Sequence, residues 1–236
     1  MQRAHHYFIN LPVQSSTATA DWLIGLGFSE LYPPVIPGSR VFTDGRLHLQ
    51  LSPADRWRES LLLFTEQSLD SLAAELQQTG LQTAVQDNKV RVVAPGGLAV
   101  YWLHLHDYDI PLPDEAVESR CGSFYELSLE VADLQAARMF WQTLGFKKTM
   151  PEGDSSSWLS MSSPLLTIGL YKEGSCPHPF HSPAVTFFNA DAAERLQQLR
   201  RQGIALAHSL PEDSAEPEEG ILASPDGHHF FLFKAW

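Results

Sequence analysis

The sequence predicts an α+β fold made of four copies of one strand–helix–three-strand (βαβββ) unit. Residues 125–146, YELSLEVADLQAARMFWQTLGF, show the plan most clearly: apolar and polar residues first alternate with the period of a strand and then recur at helical spacing. Residues 7–28, 61–81 and 184–204 repeat this plan with little residue identity. After each stretch come runs suited to three short strands. A recurring unit of this length is typical of an internally repeated architecture.

In the clearest copy, each part of the unit follows from a local pattern. Apolar residues occupy alternate positions of the strand: Leu127, Leu129 and Val131. Asp133 is placed to cap the N-terminus of the following helix. One face of that helix is apolar, through Leu134, Ala137, Phe140, Trp141 and Leu144. Gly145 suits the left-handed conformation that ends many helices, so a helix over 134–144 is expected.

The other units follow the same order, and each predicted helix ends at a glycine followed by an apolar residue. These pairs are Gly27–Phe28, Gly80–Leu81, Gly145–Phe146 and Gly203–Ile204. In the first unit, Pro-Gly and Asp-Gly turns separate the predicted strands. The later strands are predicted over 28–35, 39–44, 46–52, 89–95, 98–105, 155–163, 165–171 and 228–236. The last of these is apolar on both faces, so we expect both of its faces to be covered.

Four units in 236 residues favour two domains. Residues 107–122 lack sustained periodicity and contain two prolines and several acids, which is typical of a linker. We therefore predict one domain over 1–106, a linker over 107–122 and a second domain over 123–236. The acidic segment 211–220 is predicted to be a mobile loop of unassigned role.

Charge and composition exclude several classes of function. A net charge of −12 is unfavourable for binding nucleic acid or anionic lipid headgroups. No apolar run is long enough to cross a membrane, and the N-terminus lacks the apolar stretch of a signal peptide. Two cysteines form no disulfide framework or zinc pattern, so a cytoplasmic location is expected.

The four units, the 125–146 pattern and the closing segment SPDGHHFFLF, with Pro225, Asp226 and Gly227, together resemble the vicinal oxygen chelate superfamily. This superfamily includes glyoxalases, bleomycin-resistance proteins and extradiol dioxygenases. The resemblance implies that two units form one cupped domain and that this chain carries two such domains in tandem. We refer to them as the first and the second cup.

The resemblance also implies where metal ligands would lie, on the opening and closing strands of the units. Here those positions carry Phe8, His48 or Gln50, Leu61, Tyr101, Glu126, Thr167 or Gly169, Ala184 and Phe231. A divalent ion needs about three or more converging nitrogen or oxygen ligands, and most of these residues supply none. We therefore predict no metal ligands and no cofactor; a divalent metal would require a substituted ligand pattern.

Strand alternation extends the set of residues expected to face each cup. The first cup is predicted to show Phe8, Asn10, His48, Gln50, Leu61, Leu63, Ala99, Tyr101 and Leu103. The second is predicted to show Phe124, Glu126, Ser128, Thr167, Gly169, Tyr171, Ala184, Thr186, Phe188, His229, Phe231 and Phe233. From these sets we select as ligand-binding residues Phe124, Ser128, Thr167, Tyr171, Thr186, Phe231, His48, Gln50 and Tyr101. The alternative is that the aromatic residues simply fill a closed core.

Glu126 is the strongest single candidate for a catalytic residue, because a carboxylate on an otherwise apolar inner strand must be paired, hydrogen-bonded or protonated. His229 is predicted to share its face, and the two are candidates for an acid–base pair. The alternative is that Glu126 points to solvent at the rim of the cup or pairs with a structural His or Arg.

Three classes of function remain open from the sequence. The first is a metal-free protein that binds a small, partly aromatic ligand, for which a cation would suit the negative charge. The second is an enzyme: a lyase or dioxygenase with substituted ligands, or a metal-free acid–base catalyst using Glu126 and His229. The third is a scaffold with both cups packed shut. The oligomeric state is left open, with a homodimer as one option.

Overall fold

The structure, a computed structural model, describes residues 4–111, 113, 118–153, 155–212 and 214–235. The chain forms two eight-stranded mixed sheets, each made of two βαβββ units with one helix per unit. The predicted α+β class and the fourfold repeat are therefore confirmed.

The elements appear in the predicted order in both halves. The first half contains β1 (His6–Val13), α1 (Ser16–Gly25), β2 (Ser29–Leu31), β3 (Arg40–Thr43), β4 (His48–Pro53), β5 (Ser60–Thr65), α2 (Leu69–Gln78), β6 (Ala84–Gln86), β7 (Lys89–Val93) and β8 (Ala99–His104), then a 3-10 turn, Leu105–Asp107. The second half contains β9 (Phe124–Val131), α3 (Leu134–Thr143), β10 (Lys147–Met150), β11 (Trp158–Ser162), β12 (Thr167–Lys172), β13 (Ala184–Asn189), α4 (Ala192–Arg201), β14 (His208–Leu210), β15 (Glu219–Ala223) and β16 (His229–Lys234).

The two sheets share one topology. The strand order is β2-β3-β4-β1-β5-β8-β7-β6 in the first and β10-β11-β12-β9-β13-β16-β15-β14 in the second. The opening strands of two units pair antiparallel at the centre of each sheet, β1 with β5 and β9 with β13. Each opening strand also pairs in parallel with the closing strand of its own unit. Residues of these four central strands therefore share the concave face.

Local interactions explain where α3 begins, and a left-handed glycine follows the end of each helix. The Asp133 carboxylate accepts hydrogen bonds from the backbone N–H groups of Gln135 and Ala136 at the start of α3. The four predicted helix-ending glycines all have φ angles between 84° and 91°. Glycine adopts this left-handed conformation without the steric cost that a Cβ would impose.

The helix-facing side of each sheet forms a continuous apolar core. On β5, Leu61 and Leu63 pack into this core, whereas Leu62 and Phe64 face the first cup. The prediction that Leu61 and Leu63 face the cup is therefore wrong by one residue. All six residues of β5 are buried, so the strand shows no alternation from which its register could be read.

The first cup is packed by its own side chains. Its centre is an apolar cluster of Phe8, Val35, Val41, Leu62, Phe64 and Leu103. Tyr108 and Ile110 pack against this cluster, and the Tyr108 ring lies edge-on to Phe64 with 5.5 Å between ring centroids. Both residues belong to the segment predicted as a linker, so part of that segment covers the first cup. Residues 112 and 114–117 of the predicted linker lie outside the described residues.

The closing strand β16 is apolar on both faces, as predicted; its helix-facing side is covered, and its concave side lines the second cup. Phe230 and Leu232 join the helix-facing core, and Phe231 and Phe233 face the second cup. Across the two halves, the ring of Trp22 from α1 lies edge-on to Phe230 with centroids 5.0 Å apart.

The turn before β16 also contacts the first half through polar groups. Asp226 accepts hydrogen bonds from the backbone N–H of Gln14 at 2.7 Å and from the hydroxyl of Thr19 at 2.5 Å. The buried His228 has its Nε2 2.8 Å from the carbonyl oxygen of Pro12. The Pro225-Asp226-Gly227 segment thus joins the two halves.

None of the helices among the described residues has the length and hydrophobicity needed to span a bilayer.

We expect Asp226→Ala to lower the free energy of unfolding by about 1 to 3 kcal/mol, because two hydrogen bonds to a charged acceptor are lost. Thr19→Val should destabilise the protein less, and the double variant should be more stable than the sum of the two changes predicts. Chemical unfolding followed by tryptophan fluorescence measures this coupling. The exposed Asp109 provides the control, Asp109→Ala, for which little change is expected. Strict additivity of the Thr19 and Asp226 changes would contradict the contact.

Candidate functional site

A cavity of about 670 Å³ opens on the concave face of the second sheet. This volume lies in the range of small-molecule pockets. The walls are largely aromatic: Tyr125, Trp158, Tyr171, Phe180, Phe188, Phe231 and Phe233. The polar side chains at its base are the hydroxyls of Ser128, Ser160, Tyr171 and Thr186, which we call the floor hydroxyls.

Strand alternation explains how these walls assemble. On β16, Phe231 and Phe233 project to the concave side with their rings stacked 5.2 Å apart. On β11 and β12, Trp158 and Tyr171 are paired across the ladder, and their rings stack at 6.4 Å. Phe180, from the connector that precedes β13, lies 5.1 Å from Phe231 and closes one side.

Beneath the floor lies the carboxylate of Glu126, which is fully buried. Three of the floor hydroxyls donate hydrogen bonds to it. Tyr171 donates to Oε1 at 2.6 Å, Ser128 donates to the same oxygen at 3.1 Å, and Ser160 donates to Oε2 at 2.7 Å. The fourth floor hydroxyl, that of Thr186, lies 2.7 Å from the Ser128 hydroxyl. Hydrogen bonds of this kind are what allow a carboxylate to be buried.

A glycine on the closing strand makes room for this carboxylate. Gly169 pairs with Ser128 on β9 and Ser160 on β11. A Cβ added at Gly169 would lie well under 3.0 Å from the carboxylate oxygens of Glu126, a separation that real Cβ atoms essentially never show. Glu126 therefore occupies the space that a side chain at position 169 would otherwise take.

Burial raises the pKa of Glu126 above its ordinary value, and the hydrogen bonds from Tyr171, Ser160 and Ser128 oppose that shift. Burial likewise raises the pKa of Tyr171, and the neighbouring Glu126 carboxylate raises it further. Among the described residues, no basic side chain forms an ion pair with Glu126. The site thus holds an acid whose ionised form lacks a positive partner.

His229 does not take part in this network. His229 pairs with Ala184, which in turn pairs with Ser128, so it lies two residues along the strand direction from the level of Glu126. Its Nδ1 accepts a hydrogen bond from the backbone N–H of His181 at 3.4 Å. Burial, followed by the neighbouring histidines, lowers its pKa to about 4. The predicted Glu126–His229 pair is therefore not hydrogen-bonded in the described structure.

Phe124 also lies elsewhere than predicted. A β-bulge shifts the pairing of β9 with β13, so that Thr186 pairs with Glu126 but Phe187 pairs with Phe124. The extra residue, Tyr125, lines the cavity, and Phe124 packs against the helix-facing core. The prediction that Phe124 faces the cup is wrong because strict alternation does not hold across a bulge.

Of the other predicted binding residues, the structure brings Ser128, Tyr171, Thr186 and Phe231 together around the cavity. Thr167 is on the concave side of β12 but bonds the Ser162 hydroxyl at 2.8 Å and is not among the residues that line the cavity.

The three candidates of the first cup, His48, Gln50 and Tyr101, lie in the packed half. Gln50 donates a hydrogen bond to Asn10 at 3.0 Å, and Tyr101 lies edge-on to Trp57 at 5.6 Å. Burial lowers the pKa of His48 to about 4, with a further contribution from His6.

Several residues of the site are not among the residues predicted from the sequence. Ser160 and Trp158 are two of them, although their alternation with the buried Leu159 and Met161 indicates that they share the concave face of β11. Cys176 and Phe180 reach the cavity from an irregular connector, where no periodicity reports which way a side chain points.

Among the described residues of the second cup, few side chains that ordinarily ligate a metal ion lie together. Across the described ranges, no group of three or more His, Cys, Asp or Glu side chains is placed to hold one. In the second cup, Glu126 shares its level with Thr186 on the neighbouring strand β13 and with Phe231 on β16, the strand beyond it. Its oxygens are already engaged by three hydroxyl donors.

At the level of sequence, no protein-family model matches the chain, and neither does any curated protein. Solved structures do match. The Mn(II)-bound glyoxalase from Novosphingobium aromaticivorans matches with a TM-score of 0.66 and 15% identity, over 99% of this chain and 83% of that one. A catechol 2,3-dioxygenase matches with a TM-score of 0.60 and 14% identity, over 100% and 89%. The 2,3-dioxygenase LapB from Pseudomonas sp. KL28 matches with a TM-score of 0.57 and 16% identity, over 99% and 92%.

These likenesses cover nearly the whole chain and agree with the observed topology. The chain therefore has the vicinal oxygen chelate fold, in the tandem two-sheet form found in a glyoxalase and in extradiol dioxygenases. At this level of identity, the likeness establishes the fold, and any activity must be argued from the site itself.

The contact between Gly169 and Glu126 is testable by adding a single methyl group. We expect Gly169→Ala to destabilise the protein by about 1 to 3 kcal/mol, because the new Cβ displaces the buried carboxylate and overpacks the site. Gly153→Ala is the matched control, since a Cβ there meets nothing within 4 Å. Thermal unfolding of both variants measures the difference. Equal stability of the two variants would contradict the contact.

The burial of Glu126 predicts a pH dependence of stability. Because its pKa is raised in the folded state, the folded protein holds the proton more tightly than the unfolded chain does. This contribution is fully present below the unfolded pKa, near 4.5, and is lost as pH rises through the folded pKa. Glu126→Gln should therefore gain stability relative to the unmodified protein as pH rises, by at most about 1.4 kcal/mol per pH unit.

Denaturant unfolding of both proteins across the pH range checks this expectation, and the difference between them removes the titration of all other groups. Glu194→Gln, an exposed change of equal charge on α4, is the control and should follow the unmodified protein. A difference between the Glu126 variant and the parent that falls with pH would contradict the raised pKa.

Proposed function

We propose that this chain is a small-molecule-binding protein whose ligand lies in the second cup, and that the metal site of its structural relatives has been replaced by a hydroxyl-lined floor. The observation that carries the proposal is the cavity of about 670 Å³ with aromatic walls. An apolar concavity that contains a few converging polar groups is the usual form of a small-molecule site.

The replacement of the metal site is supported by the donors at the base of the cavity. The structural relative from Novosphingobium aromaticivorans is a Mn(II)-bound glyoxalase. In this chain the next two strands, β13 and β16, offer Thr186 and Phe231 at the level of Glu126, and Glu126 itself accepts three hydrogen bonds from hydroxyl groups. A phenylalanine cannot ligate an ion, and a carboxylate covered by hydroxyl donors is positioned for hydrogen bonding.

The two halves are proposed to have divided their roles. The first cup is filled by Phe8, Phe64 and neighbouring apolar residues and is covered by Tyr108, so it supports the fold. The second cup remains concave and is the binding half. The net charge of −12 supports a small molecule, rather than nucleic acid or an anionic membrane surface, as the partner.

A thermal-shift screen against a library of aromatic metabolites and drug-like cations tests this proposal, since a ligand that binds only the folded protein raises its melting temperature. Phe180→Ala should weaken binding of a hit by about tenfold, because an aromatic wall that contacts Phe231 and Tyr171 is lost. The matched control is Met139→Ala on the exposed face of α3, which should bind as the parent does.

The metal content of protein purified without chelators is the second measurement. Stoichiometric iron, zinc, manganese or nickel bound by protein ligands would contradict the metal-free proposal. A hit whose affinity is unchanged in Phe180→Ala would show that the ligand lies outside the second cup.

A further inference from the structure

The floor of the second cup presents a fixed hydrogen-bonding polarity. Each serine, threonine or tyrosine hydroxyl has one hydrogen to donate and lone pairs with which to accept. When Glu126 is ionised, Tyr171, Ser160 and Ser128 all direct their hydrogens to its oxygens. The Ser128 hydrogen is then used, so the 2.7 Å contact with Thr186 requires Thr186 to donate to Ser128.

The direction of these hydroxyl hydrogens determines which atoms of the floor face the ligand. All four floor hydroxyls have their hydrogens directed into the network, and only lone pairs remain toward the cavity. A ligand can satisfy such a floor only by donating hydrogen bonds. If Glu126 takes up a proton, it becomes a donor to one hydroxyl, and that hydroxyl can turn its own hydrogen toward the cavity. The ionised and protonated states of Glu126 therefore favour different ligands.

The negative charge of ionised Glu126 also favours a hydrogen-bond donor, in particular one that is positively charged. Glu126 has no basic partner among the described residues, and a buried charge without a partner is unfavourable. A cation on the floor would be separated from the carboxylate by a single hydroxyl group, close enough for electrostatic attraction. The aromatic walls also suit a cation attached to a ring system, through stacking and cation–π contacts.

This inference rests on the proposed function. We propose that the second cup binds aromatic compounds bearing a cationic hydrogen-bond donor, such as an amidinium or ammonium group. We also propose that binding releases a proton from Glu126 to solvent. Burial raises the pKa of Glu126 and so favours its neutral form in the protein without ligand. A bound cation stabilises the ionised form, and the hydroxyls then present their acceptors to the ligand.

Other titratable groups near Glu126 do not supply the positive charge that its ionised form lacks. From β12 comes Tyr171, which donates to it, while β11 and β13 contribute Ser160 and Thr186, which do not titrate at ordinary pH. The remaining titratable groups around the cavity and its mouth are Tyr125, Cys176, His178, Glu219, His229 and Lys234. The Lys234 amine lies 3.5 Å from Glu218, so this cation at the mouth is already paired.

Three planar probes of nearly equal shape test the inference: 2-naphthamidine, a cationic donor; 2-acetonaphthone, a neutral acceptor; and 2-naphthoate, an anionic acceptor. At neutral pH, calorimetry should show that the amidine binds at least tenfold more tightly than the ketone, and that the naphthoate binds most weakly. Below the pKa of Glu126 in the free protein, the affinity for the amidine should rise about tenfold per pH unit and then level off.

Proton release is measured on the unmodified protein by repeating the amidine titration in two buffers of different ionisation enthalpy. A release of up to one proton is expected near the pKa of Glu126. Glu126→Gln should lose most of the preference for the amidine and its pH dependence, while Glu194→Gln, the charge-matched control, should retain both. If the glutamine variant does not fold, the two-buffer measurement still decides the coupling.

The outcomes separate this inference from the proposed function. If the ketone or the naphthoate binds as well as the amidine, the second cup is a binding site but the donor preference is wrong. If the amidine binds without any buffer-dependent heat, the coupling to Glu126 is wrong. If none of the three probes binds, the inference is overturned, and the library screen decides whether the cup binds any small molecule.

Discussion

The structure of the second half depends on one buried carboxylate and the hydroxyl groups that surround it. Glu126 on β9 accepts hydrogen bonds from Ser160 on β11 and from Tyr171 on β12, and Thr186 on β13 completes the network through Ser128. Four neighbouring strands must therefore keep one register for the acid to remain buried. Gly169 leaves the space in which the carboxylate lies. Any change that moves one strand would leave a carboxylate without its donors, which is among the more costly defects in a protein interior.

The contrast between the two cups follows from what fills each concave face. The first sheet places Phe8 where the second places Glu126, on the opening strand that forms half of the central strand pair. Around Phe8 an apolar cluster packs under Tyr108, and the buried Gln50 donates its hydrogen bond to Asn10. Around Glu126 the neighbours carry hydroxyl groups and, apart from Tyr171, are small, so a cavity remains above them. One topology thus supports a packed core in one half and a concave site in the other.

The sequence predicted the elements better than it predicted which way their side chains point. Helix ends are readable because Asp133 and Gly145 act within a few residues of the chain, and the apolar–polar alternation of β9 and β12 indicates their two faces. Leu61 was assigned to the wrong face because β5 is buried on both sides and carries no alternation. Phe124 was assigned wrongly because a bulge between β9 and β13 adds a residue that only the pairing reveals. Phe180 lies on an irregular connector, where no local pattern applies.

By itself, the sequence determined the repeated βαβββ plan, the helix caps, the tandem fold and the presence of an acid, Glu126, on the opening strand of the third unit. These features depend on spacings of a few residues, which a linear chain records directly. Only the tertiary structure decided that three hydroxyls, from residues 128, 160 and 171, converge on that acid, that His229 stays apart from it, and that one cup is packed while the other is open. Those outcomes depend on strand register and on contacts between residues far apart in the chain, and periodicity carries no information about either.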